Sequence, residues 1–282
     1  MSTTASAPST PSFLSRAMTQ KRFVFGCTVT LLVIAFAVIA PFVAPYGEEE
    51  TAGAPYAKVG LFGTDYLGQD VLSRVMHGGQ GVLIISVLAT LLGMVVGVLI
   101  GVVAAYSGGW WDEVIMRLND VLLAFPQILL ALVVLTALQN PAAWVIVVII
   151  GASHAPRVAR VSRGVALGIV SRDFVVAAEA LGEKRSRVIV AEVLPNMIGP
   201  LLAEAGLRLT YSIGIVAALG FLGFAADPGS ANWGQMMNEN RLGLATQPWS
   251  VMAPVLIIAI FTIATNLMAD GLAQLSQKED SR

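Results

Sequence analysis

Few side chains in these 282 residues have the type and spacing for chemistry. Asp65 and Asp70 lie five apart, with Thr64 beside the first. A carboxylate pair attracts a cation, but an oxygen-rich metal site takes about six to eight ligands. The pair has a structural use instead, capping and pinning a short helix from Gln69 to His77 on the outer face. His77 and His154 stand far apart with no ligating neighbours, so neither is assigned to a metal. Cys27 is the only cysteine; it sits in an apolar run and reads as a small apolar residue. Glu204 and Arg208 are four apart, a spacing that lets them pair on one helix face. Nothing matches GxxxxGK[ST], HExxH or GxSxG. The expectation is therefore no catalytic residue, no metal and no cofactor bound by this chain.

What remains is recognition. Phe174 to Asn196 reads FVVAAEALGEKRSRVIVAEVLPN, a polar-flanked stretch between two apolar runs. Asp173 to Leu181 suits a short helix, with Ser171 or Asp173 as its cap and Gly182 as its stop. Phe174, Ala177, Ala178 and Leu181 fall at helical spacing and form one compact face. Small alanines on that face allow close approach of a partner, as when a helix lies in a groove. The plain alternative is an amphipathic loop resting on a membrane surface. Leu194 and Pro195 mark where the loop gives way to the next helix.

The elements that carry this loop are membrane spans. The chain is 56% hydrophobic and only 12% charged, where a soluble domain carries about 25% charged residues. Mean hydropathy is +0.76. Net charge is −1, which excludes the basic footprint of a nucleic-acid binder. A spanning helix needs about 20 apolar residues. Six segments qualify: about Phe23 to Tyr46, Val82 to Tyr106, Val114 to Leu138, Ala142 to Val161, Ile198 to Phe224 and Val251 to Leu275. The first is long and lacks a cleavage site, so it reads as an uncleaved helix. Placing both termini inside puts Arg16, Lys21, Arg22, Arg117, Arg157, Arg160, Arg163, Arg172, Lys184, Arg185, Arg187, Lys278 and Arg282 on the cytosolic side. Only Lys58, Arg74 and Arg241 fall outside, and Arg208 lies near the inner end of the fifth span. The predicted fold class is an all-α polytopic membrane protein with six transmembrane helices.

The expected organisation is a cytosolic tail at 1–22, and a first helix with an outside segment at 23–80. A five-helix core follows at 81–275, with the cytosolic loop at about 166–197 inside it, then a tail at 276–282. The first twenty residues, rich in Ser, Thr, Pro and Ala, read as a disordered tail. In the second span Gly93, Gly97 and Gly101 recur every four residues. Such a stripe lets helices pack closely in lipid, here inside the subunit. Pro126 and Pro254 can kink the third and sixth spans.

With its Ala-Ala pair and Leu181-Gly182, the loop resembles the cytosolic coupling loop of permease subunits of ATP-binding-cassette importers. Further strings resemble the dipeptide, oligopeptide and nickel permeases. They are Leu61 to Arg74 (LFGTDYLGQDVLSR), Gly108-Gly109-Trp110, Arg117 to Pro126, Phe221-Leu222-Gly223, Asn232-Trp233-Gly234, and Asn266-Leu267 with Asp270-Gly271-Leu272. The likeness spans about residues 13–275 and is closest to the second, "C-type" permease of each pair. Two positions depart from the family: Gln69 stands where an Arg is usual, and Val176 where a Glu precedes the Ala pair. Glu179 or Asp173 is left to replace that Glu.

The resemblance implies the binding-protein-dependent importer permease fold in a cytoplasmic (inner) membrane. Its coupling residues would be Phe174, Ala177, Ala178, Glu179, Leu181, Gly182, Leu194 and Pro195. Its implied partners are a homologous second permease forming a heterodimer, two cytosolic ATPase subunits carrying ATP and Mg, an extracytoplasmic solute-binding protein, and membrane lipid. The implied cargo is a di- or oligopeptide, with nickel as the alternative. A secondary transporter is the rival class. It is expected to carry charged or broken helices near mid-membrane and an internal repeat, whereas here the charges are expected near the span ends.

Overall fold

The computed structural model of the chain describes residues 17–138, 142–225 and 230–280. Most of the N-terminal tail, including Arg16, and Arg282 lie outside the described residues, as does the side chain of Lys278. The fold is all-α. Its helices are α1 Lys21–Val43, α2 Val71–His77, α3 Gly79–Ser107, α4 Gly109–Ala124, α5 Gln127–Ala137, α6 Ala143–Val170, α7 Asp173–Ala180, α8 Arg185–Val188, α9 Leu194–Phe221, α10 Trp233–Asn240 and α11 Trp249–Asp280. Among the described residues, five helical runs are long and apolar enough to cross a membrane, and six if the bent pair α4–α5 counts as one.

The glycine stripe shows why that pair must cross. A Cβ on Gly93 would sit 2.9 Å from the Gly151 carbonyl oxygen, and one on Gly97 2.7 Å from that of Ala155. One on Gly101 would meet the Ala159 carbonyl. Equal steps in the same sense mean that α3 and α6 run parallel, backbone against backbone. The chain between them must therefore return across the membrane. α4 is about 24 Å long and α5 about 16 Å, each short of a core about 30 Å thick. In series they cross obliquely.

The expected third span, Val114 to Leu138, is thus a broken one, bent by 76°. Pro126 supplies no N–H, and it forces the preceding residue out of helical angles. Phe125 accordingly sits at φ −84°, ψ 127°. Pro254, the other expected kink, lies inside α11, which continues through it.

Two further helices exceed their expected bounds. α6 runs to Val170 rather than Val161, because Arg160 and Arg163 are neutralised by Asp120 and Asp112 of α4, each pair at 2.5 Å. α9 starts at Leu194, ahead of the expected Ile198, with Pro195 in its first turn, directly after a π turn. α8 and a π turn at Ile189–Val193 precede it, so the helical run extends from Arg185 to Phe221. As a result Glu204 and Arg208 lie mid-helix, not at the inner end of a span. The expectation that charges keep to the span ends fails for them, and for Arg157 at the middle of α6.

The packing fixes which segments share an end. Thr90 on α3 meets Ser212 on α9 at 2.9 Å, while Val102 and Ala105 cluster with Val193 and Met197. These two helices are therefore antiparallel. Gly26 of α1 closes on Ala264 and Met268 of α11, and Gly271 on Phe23. Ala203 joins Phe23, Leu272 and Leu275. The start of α1, the α7–α8 loop and the far end of α11 therefore share one end. Residues 44–70 and 230–248 share the other.

That second end is a cap built on polar contacts. Asp70 accepts from the Ser73 amide at 2.8 Å and so caps α2. His77 closes the same helix, its Nδ1 2.8 Å from the Ser73 carbonyl. Arg74 and Asp65 form a buried pair at 2.5 Å, with Glu239 at 3.3 Å. Burial, with Glu239 beside it, pushes the Tyr66 phenol above its usual range. Trp233 donates to the Val75 carbonyl at 2.7 Å. α2 does not lie along the outer face as expected. Gly78 keeps near-helical angles (φ −62°, ψ −12°), and Val71–Ser107 form one apolar run of 37 residues.

Candidate functional site

At the opposite end, α7 is built by its termini. The Arg172 carbonyl accepts from the Val175 and Val176 amides at 3.0 and 3.2 Å, so Arg172 is the residue that opens the helix. Neither expected cap fills that place: Ser171 Oγ turns back to the Gly168 carbonyl, and Asp173 is already helical. Asp173 in the first turn suits the helix dipole. At the other end the Gly182 amide reaches the Glu179 carbonyl at 2.9 Å, and the Glu183 amide reaches that of Ala178 at 3.2 Å. This is a Schellman stop, which needs a left-handed residue. Gly182 supplies it with φ +81°.

One side of α7 is nailed to the body. Val175 is fully buried against Val102, Ala105, Ile169, Val188, Val193 and Met197. Ala178 packs, half-buried, on the same cluster, so it faces inward instead of joining the outer face assigned to it. Leu194 also packs on this cluster, and Pro195 lies exposed at the start of α9. The free side carries Phe174, Ala177 and Leu181 at helical spacing. Leu181 is 85% exposed. A leucine so exposed beside an aromatic ring is an apolar stripe ready to be covered.

Glu179 accepts a hydrogen bond from the Tyr106 hydroxyl at the end of α3. The Arg185 guanidinium lies 5.8 Å from the centre of the same ring. These contacts tie α7 and α8 to the second span. Nothing local in the sequence marks Tyr106, which is 73 residues from its partner.

The other singled-out residues lie elsewhere. Gly93, Gly97 and Gly101 face α6 within the subunit. Glu204 and Arg208 are buried 2.8 Å apart, without the alignment of a hydrogen bond, and the Arg208 guanidinium lies 5.0 Å over the Tyr211 ring. His154, for which the sequence offered no partner, is fully buried with Nε2 2.9 Å from Ser212 Oγ. Among the described residues no three His, Cys, Asp or Glu side chains gather closely enough for a metal.

Comparison with known proteins gives this arrangement relatives. Residues 97–279 match the family described as "Binding-protein-dependent transport system inner membrane component". The chain is 35% identical to the di/tripeptide transport system permease protein DppC of Pseudomonas aeruginosa, over 88% of this chain and 84% of that one. It is 36% identical to the glutathione transport system permease protein GsiD of Escherichia coli O157:H7, over 86% and 81%. An inward-facing structure of the MetNI methionine ABC transporter has the same fold. The TM-score is 0.55 at 15% identity, covering 71% of this chain and 96% of that one.

Proposed function

The chain belongs to the family of binding-protein-dependent transport system inner membrane components, the permeases of ABC importers, and we propose that its cargo is a di- or oligopeptide. The cargo reading is supported by the two relatives named for di/tripeptides and for glutathione, itself a tripeptide. The observation that carries the working mechanism is the exposed stripe Phe174–Ala177–Leu181, set on a helix pinned from behind by Val175.

In this reading α7 docks into an ATPase subunit. Two such subunits, carrying ATP and Mg, lie on the cytosolic side with both termini of this chain. A second, homologous permease completes a heterodimer, and a solute-binding protein meets the cap formed by residues 44–70 and 230–248. Closure of the ATPase pair on ATP draws α7 with it. Val175 and the Tyr106–Glu179 bond pass that motion to α3 and α9. The ATP chemistry belongs to the partners, and this chain converts its motion into opening and closing.

Two measurements test the reading. In a Cys27→Ser background, Leu61→Cys is expected to react with an impermeant thiol reagent added to intact cells, and Val190→Cys is not. Both positions are well exposed, at 73% and 65%. Labelling of Val190→Cys alone would invert the orientation. In a strain lacking the gene, the restored wild-type chain is expected to return uptake of labelled dipeptide and to copurify with an ATPase. Uptake of nickel without peptide would transfer the cargo to the metal.

A further inference from the structure

α6 carries arginines at 157, 160 and 163. Arg160 and Arg163 have their acids on α4, but α4 ends at Ala124 and offers none to Arg157. The polar partner of Arg157 among the described residues is the neutral Gln127 Oε1, at 3.4 Å. Yet Arg157 is exposed on the subunit and lies near the middle of α6. Its neighbour Val158 packs on Gly97. Gly97 lies about nine residues, or about 14 Å, short of the end of the charge-free run Val82–Tyr106. Three residues further on, Arg160 is already paired with Asp120, so Arg157 is the first of the three arginines to enter the apolar half of α6, and it does so without an acid.

Among apolar neighbours, several polar groups surround it. The break at Phe125–Pro126 is exposed beside it. The first amides of α5, from Gln127 to Leu129, have no acceptor within the helix. Pro156 supplies no N–H to the Ala152 carbonyl one turn back. Gln127 Nε2 donates to Ser153 Oγ at 2.5 Å, and Ser153 Oγ donates to the Ile150 carbonyl at 2.7 Å. Gln127, Ser153 and Arg157 form the polar side of a cavity of about 120 Å³ whose other walls are apolar, Leu122, Phe125 and Leu130 among them, room for about four waters. Lipid satisfies none of these groups, and irregular backbone at membrane depth lines water or protein. An unneutralised arginine within a spanning helix points to a function, a substrate path among them.

Building on the peptide reading above, we propose that this face is a wall of the translocation path, and that Arg157, with the second Nε2 hydrogen of Gln127, receives the terminal carboxylate of the crossing peptide. A guanidinium presents a planar fork of donors matched to a carboxylate. The neutral Gln127 contact leaves most of that fork free. The cavity holds the end of a chain, not a whole peptide, so the site grips a terminus and tolerates varied side chains. No bond is made or broken; the cargo passes through a transient ion pair.

The test uses the complete importer, with its second permease, ATPases and binding protein, in proteoliposomes. Arg157→Gln is expected to lower uptake of a labelled tripeptide about tenfold, the scale of one lost charge-assisted hydrogen bond. Arg157→Lys is expected to restore part of it, and ATP hydrolysis driven by loaded binding protein is expected to persist in both. In a Cys27→Ser background, Arg157→Cys is expected to react with a water-soluble thiol reagent in the assembled complex. The free-acid tripeptide is expected to protect it better than the corresponding amide. Wild-type uptake by Arg157→Gln overturns the proposal. So does a thiol that stays unreactive whatever the cargo, which would seat Arg157 against the second permease. Absence of any peptide uptake by the wild type overturns the peptide reading and this one together; the other outcomes overturn this one alone.

Discussion

Replacing Gly97 by leucine is expected to leave little or no folded subunit in the membrane. A Cβ there would lie 2.5 Å from Val158 Cβ and 2.7 Å from the Ala155 carbonyl oxygen. The second neighbour is backbone, so no rotamer change relieves the clash. The two helices would have to part along the whole glycine stripe, because Gly93 and Gly101 close on the same partner. Overpacking a core by a methylene or two costs about 1–3 kcal/mol. In lipid the loss weighs more, since close van der Waals packing is what holds helices together there. The broken span α4–α5 depends on the same pairing, because its ion pairs reach α6. The check is membrane level and thermal unfolding of the detergent-solubilised chain, with Gly81→Leu as control. Gly81 is on the same helix, and a Cβ there meets nothing within 4 Å. Normal level and unfolding temperature for Gly97→Leu would mean that α3 and α6 are not so paired.

What could be read from the sequence follows from which forces are local. The spans announce themselves by apolar length, and a glycine after a helical pattern announces a stop. Pro126 marked a kink, but its depth depends on what α4 meets, and Asp112 and Asp120 find their arginines 51 and 40 residues away. The sequence-based ends of α6 and α9 fell short for a related reason. Charged residues end an apolar run, yet Arg and Glu are good helix formers, so the helix continues wherever another element neutralises them. That error hid the mid-helix position of Arg157, Glu204 and Arg208. A charged and broken mid-section was held to mark a secondary transporter. Here it occurs in an importer permease, so that criterion does not separate the two classes. Pairings such as Tyr106 with Glu179, or His154 with Ser212, carry no local signature at all. The inward turn of Ala178 is of the same kind. Helical spacing groups it equally well with Phe174 and Leu181 or with Val175, and only the cluster beneath decides.

Gly182→Val is expected to cut ATP-driven uptake about tenfold while the chain still inserts at its normal level. The residue sits at φ +81°. A residue with a Cβ pays about 1–2 kcal/mol there, and a β-branched one is stiffer still. A penalty of about 1.4 kcal/mol is a tenfold shift in the population of the stopped helix. Space is not the issue, since a Cβ at this position meets nothing within 4 Å. The effect must therefore come through the Schellman bonds of Gly182 and Glu183. Once they are lost, the last turn of α7 unwinds and Leu181 leaves the line of Phe174 and Ala177. Val175 remains buried, so the body of the subunit is spared. Two companion variants separate this cause from general damage. Gly182→Asn is expected to keep most of the uptake, because asparagine tolerates the left-handed region. Val176→Glu is expected to be harmless, because that side chain is 54% exposed. Uptake and ATPase copurification, measured on the whole complex, decide the matter. Wild-type values for Gly182→Val would show that the ATPase does not read the end of α7, and a severe loss in Val176→Glu would move its footprint to the other side of the helix.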